Sequence, residues 1–165
     1  MLNIRPANLS DLPSITEIYN EAIINTTATF DTEIKSHEEQ IIWFEKHGPS
    51  FPVLVAEYEN KVVGWASLSR WSDRCAYDST AEVSFYVSPD FQGRGIGRQL
   101  LEIITLEGKK AGLHSILSRI SEGSMASIHL HESLNYRHVG VLKEVGRKFG
   151  KLLDVYMMQI VFEQN

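Results

Sequence analysis

Residues 82–98 read Glu-Val-Ser-Phe-Tyr-Val-Ser-Pro-Asp-Phe-Gln-Gly-Arg-Gly-Ile-Gly-Arg. The first six alternate at period two, which sends Val83, Phe85 and Val87 to one face of a strand and Glu82, Ser84 and Tyr86 to the other. Past the glycines, Ile96, Leu100, Ile103 and Ile104 fall on one helical stripe, Lys109 and Lys110 occupy the last turn, and Gly112 is the stop, so residues 95–111 read as a helix. The turn between them, Gln92-Gly93-Arg94-Gly95-Ile96-Gly97, puts free N–H groups and the positive end of a helix dipole where an anion can sit. Glycine lets the backbone approach that anion closely. Arg94 and Arg98 add local positive charge. The turn is not a P-loop, for no Lys-Ser/Thr follows, and the dinucleotide fingerprint wants a glycine where Arg98 stands. On these residues alone, a flexible strand-to-helix turn with no ligand is the competing reading.

Outward from this centre the chain alternates in type. A strand is expected at 2–5, then a helix capped by Ser10 or Asp11 carrying Ile15, Ile18, Tyr19, Ala22 and Ile23 to about Asn25, then a loop at 26–35. Ser36-His37-Glu38-Glu39 is a capping-box pattern opening a second helix that Gly48-Pro49 stops. Runs 53–58 and 61–70 read as strands joined at Glu59-Asn60 by a tight hairpin. A loop at 71–79 leads to the strand at 80–88. After the 95–111 helix come a strand at 114–120, a short helix at 124–134 and strands near 138–144 and 153–162. The order β, α, α, β, β, β, α, β, α, β, β is a mixed α/β pattern.

The chain has 165 residues, 43% hydrophobic and 22% charged. Such a chain folds, and its length suggests a single domain spanning 1–165. The net charge of -5 supplies no general basic field, so no nucleic acid or membrane partner is expected, and any bound anion must be held locally. One cysteine, Cys75, rules out an intrachain disulfide framework and points to a reducing compartment. The opening Met-Leu-Asn-Ile-Arg-Pro has no apolar signal region and no run is long enough to span a bilayer, so a cytoplasmic protein is expected. His37, His47, His114, His129 and His138 show no ligand spacing with acidic partners, and no metal is expected.

Glu82 carries two readings: a carboxylate on a solvated strand face, or, if helices cover that face, a desolvated base able to take a proton near neutral pH. His131, inward at helical spacing with Ser127, Leu130 and Leu134, is either a hydrogen-bonded core residue or part of a site.

Gln-x-x-Gly-x-Gly after a strand ending Tyr-Val-Ser-Pro resembles the coenzyme A-binding motif of the GCN5-related N-acetyltransferases. Further matches follow in order: Ile18-Tyr19-Asn20, Thr29-Phe30, Val53 to Glu57, Thr80-Ala81-Glu82, Leu130 to Leu134, and Val145 to Gly150 followed by Leu153-Asp154-Val155. They resemble most the branch that acetylates phosphinothricin and methionine sulfoximine. The resemblance implies the family's α/β fold, a mixed, mostly antiparallel sheet of about seven strands flanked by about four helices. It also implies acetyl-CoA as cofactor, a small-molecule amine acceptor and a homodimer. Phe85, Tyr86 and Val87 would then lie along the acetyl-pantetheine arm. Gly93, Arg94, Gly95, Ile96, Gly97 and Arg98 would hold the pyrophosphate, with Ser124 and Ser133 as further cofactor contacts. Ser124 stands where relatives carry Asn; it is shorter but a good N-cap. Glu82 matches the family's base, and His131 stands where many relatives carry a proton-donating Tyr and the phosphinothricin branch carries His.

For the acceptor, the resemblance points to Arg74, Cys75, Ala76 and Tyr77, a loop whose guanidinium can grip an α-carboxylate, and to Phe30 on the opposite wall. The alternative for Arg74 is a solvated surface charge. Cys75 is no nucleophile, because direct transfer needs none and nothing adjacent would lower its pKa. Three functions compete: an N-acetyltransferase acting on the α-amine of a small amino-acid-like compound in a ternary complex, one acting on a protein or peptide, and a non-catalytic acyl-CoA sensor.

Overall fold

In the computed structural model, which describes residues 1–163, the chain order is β1 (Leu2–Pro6), α1 (Leu12–Asn25), α2 (His37–Glu45), β2 (Val53–Tyr58), β3 (Lys61–Arg70), β4 (Thr80–Val87), α3 (Ile96–Lys110), β5 (Ser115–Ser121), α4 (Met125–Ser133), β6 (Arg137–Lys148) and β7 (Lys151–Val161). The strands form one 7-stranded sheet in the order β1-β2-β3-β4-β5-β7-β6. Every neighbouring pair is antiparallel except β4 with β5, which are parallel because α3 carries the chain back between them. The expected architecture of strands and helices is the one observed.

The parallel pairing is short. Thr80, Ala81 and Glu82 face Ser115, Ile116 and Leu117, and there the ladder stops. Beyond Glu82, β4 keeps β3 as its partner as far as Val87, while β5 follows β7. The two central strands therefore splay, and among the described residues the backbone edge of β4 from Val83 onward has no strand neighbour on one side. Alternation along β4 does the rest. Val83 is buried against α3 in the larger core, with Phe85 and Val87 packed beside it. Tyr86 turns to the other face, into a cluster with Trp65 of β3 and Tyr19 of α1.

Local signals hold at most element ends. Ser36 Oγ accepts the Glu39 N–H at 3.2 Å while the Glu39 carboxylate accepts the Ser36 N–H at 2.7 Å, the reciprocal capping box. Glu59 and Asn60 both have positive φ, 49° and 63°, as a hairpin turn matching strand twist requires. At α1 the cap differs from expectation. Asp11 precedes the helix, but its carboxylate accepts from the Asn8 N–H at 2.8 Å and from both Arg5 terminal nitrogens at 2.8 and 2.9 Å, closing a 3-10 turn at Leu9–Asp11. Arg5 also pairs with Glu57, so β1, α1 and β2 are pinned at one point.

β6 and β7 run further than the patterning predicts. Residues 145–148 lie past the strand expected near 138–144, yet they stay in the ladder through a bulge between Leu142 and Gly146, with Glu144 at φ 51°. The reversal falls at Phe149-Gly150, both with positive φ.

Candidate active site

The splay between β4 and β5 opens a cleft of about 930 Å³, walled by β4, β5, the start of α3, α4, α1 with its following loop, and the bulged part of β6. At its floor the turn before α3 behaves as the glycines require. Gly93 and Gly95 have φ of 74° and 80°, and a Cβ at either would meet no atom within 4 Å, so the turn is open above them. The N–H groups of Ile96, Gly97 and Arg98 open the helix and have no partner within it. Gln92 donates from its amide to the Val87 carbonyl at 3.0 Å, fixing the turn to the end of β4.

Glu82 and Arg119 form the charged centre. Arg119, on β5, donates from Nε to Glu82 Oε2 at 2.6 Å and from Nη2 to Oε1 at 3.2 Å, a fork on a carboxylate that is itself mostly covered. Burial pushes the Glu82 carboxyl above its ordinary value, and Arg119 opposes that rise. The guanidinium lies over the Trp71 ring, 5.2 Å from its centroid, and its Nη1 has no partner among the described residues. Arg119 is not among the residues the sequence singles out. Its signal is there, a single charge at the centre of Ser-Ile-Leu-Ser-Arg-Ile-Ser, but only the β4–β5 register brings it to Glu82.

His131 is 1% exposed. Its Nδ1 lies 2.7 Å from the Ser127 carbonyl and so carries the proton, which leaves Nε2 as a bare acceptor, buried and without a partner among the described residues. The ring packs against Phe85 and edge-on to Tyr136. Burial holds the imidazole below its usual pKa, outweighing the Ser127 contact. As it stands the ring offers a lone pair, not a proton.

The remaining residues singled out by sequence divide clearly. Phe30, Phe85, Tyr86, Val87, Gly93, Gly95, Ile96, Gly97, Arg98 and Ser124 line the cleft with Glu82 and His131. Ser124 precedes α4 but makes no capping bond; its hydroxyl is 3.5 Å from that of Ser121. Ser133 meets the cleft indirectly, accepting from Arg98 Nη1 at 2.6 Å while donating to the Leu130 carbonyl at 2.7 Å. Arg94 turns away, to the Asp90 carbonyl and the face of Phe91. Arg74, Cys75, Ala76 and Tyr77 form an exposed turn that lines no part of the cleft. Beside Phe30 lies a polar knot the sequence does not show. Tyr19 donates to Asp31, its hydroxyl is 3.0 Å from that of Thr29, and buried Lys148 donates to the Thr29 carbonyl at 2.7 Å. Burial, with the Asp31 and Glu82 charges adding to it and a Thr29 contact opposing, pushes the Tyr86 hydroxyl up to about 12.

The model of the acetyltransferase (GNAT) family matches residues 13–136. The L-amino acid N-acyltransferase MnaT of Escherichia coli is 37% identical over 99% of this chain and 96% of its own. The L-methionine sulfoximine/L-methionine sulfone acetyltransferase of Salmonella typhimurium is 35% identical over the same shares, 99% and 96%. This chain belongs to the GNAT acetyltransferases. A solved Salmonella typhimurium acetyltransferase carrying acetyl-CoA superposes with a TM-score of 0.95 at 35% identity, covering 99% of this chain and 95% of that one. The protein is thus an acetyltransferase that uses acetyl-CoA, and the open glycine turn, the free helix N–H groups and the apolar wall of Phe85 and Val87 suit a pyrophosphate and its pantetheine arm. Among the described residues no helix is long and apolar enough to cross a membrane.

Proposed function

We propose that this acetyltransferase acetylates the α-amine of a small amino acid by direct transfer in a ternary complex, with Glu82 as the base. The observation that carries the reading is the Glu82–Arg119 fork at the splay of β4 and β5. An α-amino acid presents an ammonium and a carboxylate side by side, and the cleft presents a carboxylate and a guanidinium side by side. Bound acetyl-CoA supplies the acetyl thioester. An ammonium has no lone pair, so Glu82 takes its proton first, desolvated enough to accept it and held in place by Arg119. Arg119 Nη1 holds the acceptor's carboxylate. The free N–H groups of β4 past Glu82 are placed to polarise a carbonyl lying along the strand. As the C–N bond forms and the acetyl C–S bond breaks, the bare Nε2 of His131 takes the proton that the nitrogen sheds and passes it to the departing coenzyme A thiolate, which assigns the ring a relay in place of a donor in waiting.

The names of the relatives above support an amino-acid acceptor, and the closed polar knot at Tyr19, Thr29 and Asp31 suits a small molecule better than an extended peptide. We also propose a cytoplasmic homodimer as the working form. Val139, Val145, Phe149 and Leu152 expose apolar side chains on β6, β7 and the turn between them, and a second copy would cover them. Thiol release from acetyl-CoA, measured with methionine sulfone, methionine sulfoximine, phosphinothricin and an N-terminal peptide, tests the acceptor class. Turnover of the peptide with none on any free amino acid would overturn it, and tight acetyl-CoA binding without turnover on anything would make the protein a sensor.

A further inference from the structure

The resemblance to the family includes Val145 to Gly150, a stretch that the reaction above does not use. It forms the end of β6, where the ladder with β7 pairs Gly146 with Leu153, Arg147 with Leu152 and Lys148 with Lys151. Alternation sends Val145 and Arg147 to the exposed side and turns Gly146 and Lys148 inward, toward the loop between α1 and α2. We propose that Gly146 and Lys148 are positioning residues: they hold the Thr29–Asp31 segment, and the Phe30 ring with it, against the cleft. Acceptor binding then depends on two residues that do not themselves line the cleft. The assignment rests on the acceptor meeting the Glu82 face of β4, as in the reading above, but not on its being an amino acid.

Two contacts make the hold. The first is a close approach. A Cβ at Gly146 would fall 2.2 Å from Phe30 Cε2 and 2.5 Å from Cδ2, so the ring is seated on bare backbone, and only glycine leaves it that room. The second is a hydrogen bond spanning 119 residues, in which Lys148 Nζ donates to the Thr29 carbonyl at 2.7 Å. Among the described residues, that carbonyl is the only main-chain group of residues 29–34 bonded outside the segment. Residues 29–34 have no helix or strand of their own, so contacts from elsewhere must fix their course.

Lys148 is a costly residue for mere packing. It is 5% exposed, its ammonium is bonded to a neutral carbonyl, and the Asp31 charge only opposes the desolvation. An apolar chain of the same length would fill the space without that cost. What the ammonium adds is direction, because a donor tied to one carbonyl fixes where the segment lies.

The other contacts of the segment show what is being placed. Thr29 and Asp31, on either side of Phe30, both bond the Tyr19 hydroxyl, and Tyr19 packs edge-on to Tyr86 at 5.1 Å. Tyr86 shares its face of β4 with Ser84 and Glu82. Thr29, Phe30 and Asp31 all line the cleft. The segment therefore walls the face on which the base stands, whereas the cofactor's phosphates belong to the turn before α3.

Initial-rate kinetics in both substrates test the assignment, by thiol release with whichever acceptor the protein turns over. Gly146→Ala drives the Phe30 ring from its seat, and because the clash is with the far end of a side chain the fold should survive. It should raise the KM for the acceptor about tenfold and leave that for acetyl-CoA within about twofold. In a Phe30→Ala background the same substitution should change the acceptor KM by less than about twofold, because the ring it displaces is already gone. Lys148→Met keeps the chain length and removes the donor. It should also raise the acceptor KM about tenfold, the usual worth of a hydrogen bond to a charged group, again sparing acetyl-CoA. Where one of the two variants fails to fold, the other decides. A Gly146→Ala effect that persists in full without Phe30, equal rises in both KM values, or an acceptor KM unmoved by either variant overturns the assignment. So does failure of both to fold, read by circular dichroism, since the two residues would then be structural only. Turnover of a peptide and of no amino acid overturns the amino-acid reading alone, and the peptide's KM then decides this assignment. Tight acetyl-CoA binding with no turnover of any acceptor overturns both.

Discussion

Replacing Arg119 with Met removes the cation from the Glu82 carboxylate while leaving most of the side-chain volume over Trp71. Unit charges about 4 Å apart interact by about 4 kcal/mol at an effective dielectric of 20 and about 1 kcal/mol in bulk water. The Arg119 side chain is 53% exposed and that of Glu82 24%, so solvent screens the pair and the lower part of that range applies, about 1–2 kcal/mol. Arg119 favours the ionised carboxylate, against burial; without it Glu82 holds its proton to higher pH. The base works only when ionised. The acidic limb of kcat should therefore move to higher pH, and at a fixed pH on that limb kcat should drop about tenfold, the ratio that 1–2 kcal/mol brackets. On the alkaline plateau, where Glu82 is ionised in both proteins, kcat should change by less than about threefold. The assay is thiol release at saturating acetyl-CoA and acceptor across the pH range, with the same acceptor throughout so that its own titration cancels. A limb that stays in place, with kcat lowered equally at every pH, would refute the argument and reduce Arg119 to a substrate clamp.

Glu82→Gln should lower kcat about 10²–10³-fold, with the deficit largest at low pH, where little free amine exists; a pH–rate profile of unchanged shape would remove Glu82 from the base role. Gly95→Ala forces a side chain into a φ of 80°, at a cost of about 1 kcal/mol. It should raise the KM for acetyl-CoA more than that for the acceptor, because only the turn before α3 is disturbed; initial-rate kinetics in both substrates decide this. Asp11 is held below the ordinary carboxylate range, first by Arg5, so its stabilising share is complete above its unfolded pKa and is lost as pH falls through the lower folded one. Asp11→Asn should therefore be about 2 kcal/mol less stable than wild type near neutral pH, with the gap closing in acid as the pH falls through the lowered folded pKa. Denaturant unfolding at the two pH values measures it, and a gap independent of pH would contradict the ion-pair account.

Much of this molecule is written in short-range pattern. Period-two alternation in residues 82–87 puts Val83 and Phe85 against α3 and Tyr86 against α1, as observed, because which face of a strand a side chain occupies depends on counting alone. The glycines at 93 and 95, the Ser36–Glu39 box and the Glu59-Asn60 turn likewise follow from local conformational preference. His131 could be read as inward from its helical spacing, although its tautomer could not, since that depends on the Ser127 carbonyl.

What tertiary structure alone decided is the company each group keeps. β4 and β5 separate after Glu82 while β5 keeps β7 and β4 keeps β3, and no local signal encodes where a ladder ends. Arg119 lies 37 residues from Glu82, and their 2.6 Å contact exists because a crossover helix sets a parallel register. The same holds for Ser67 opposite Ser84, and for the Trp65 N–H left without a partner among the described residues. Sequence determined the strand, the anion-binding turn and the carboxylate. Only the packed sheet determined which charge faces that carboxylate, and how much room lies beside it, because both are set by contacts between segments that the chain brings together on folding.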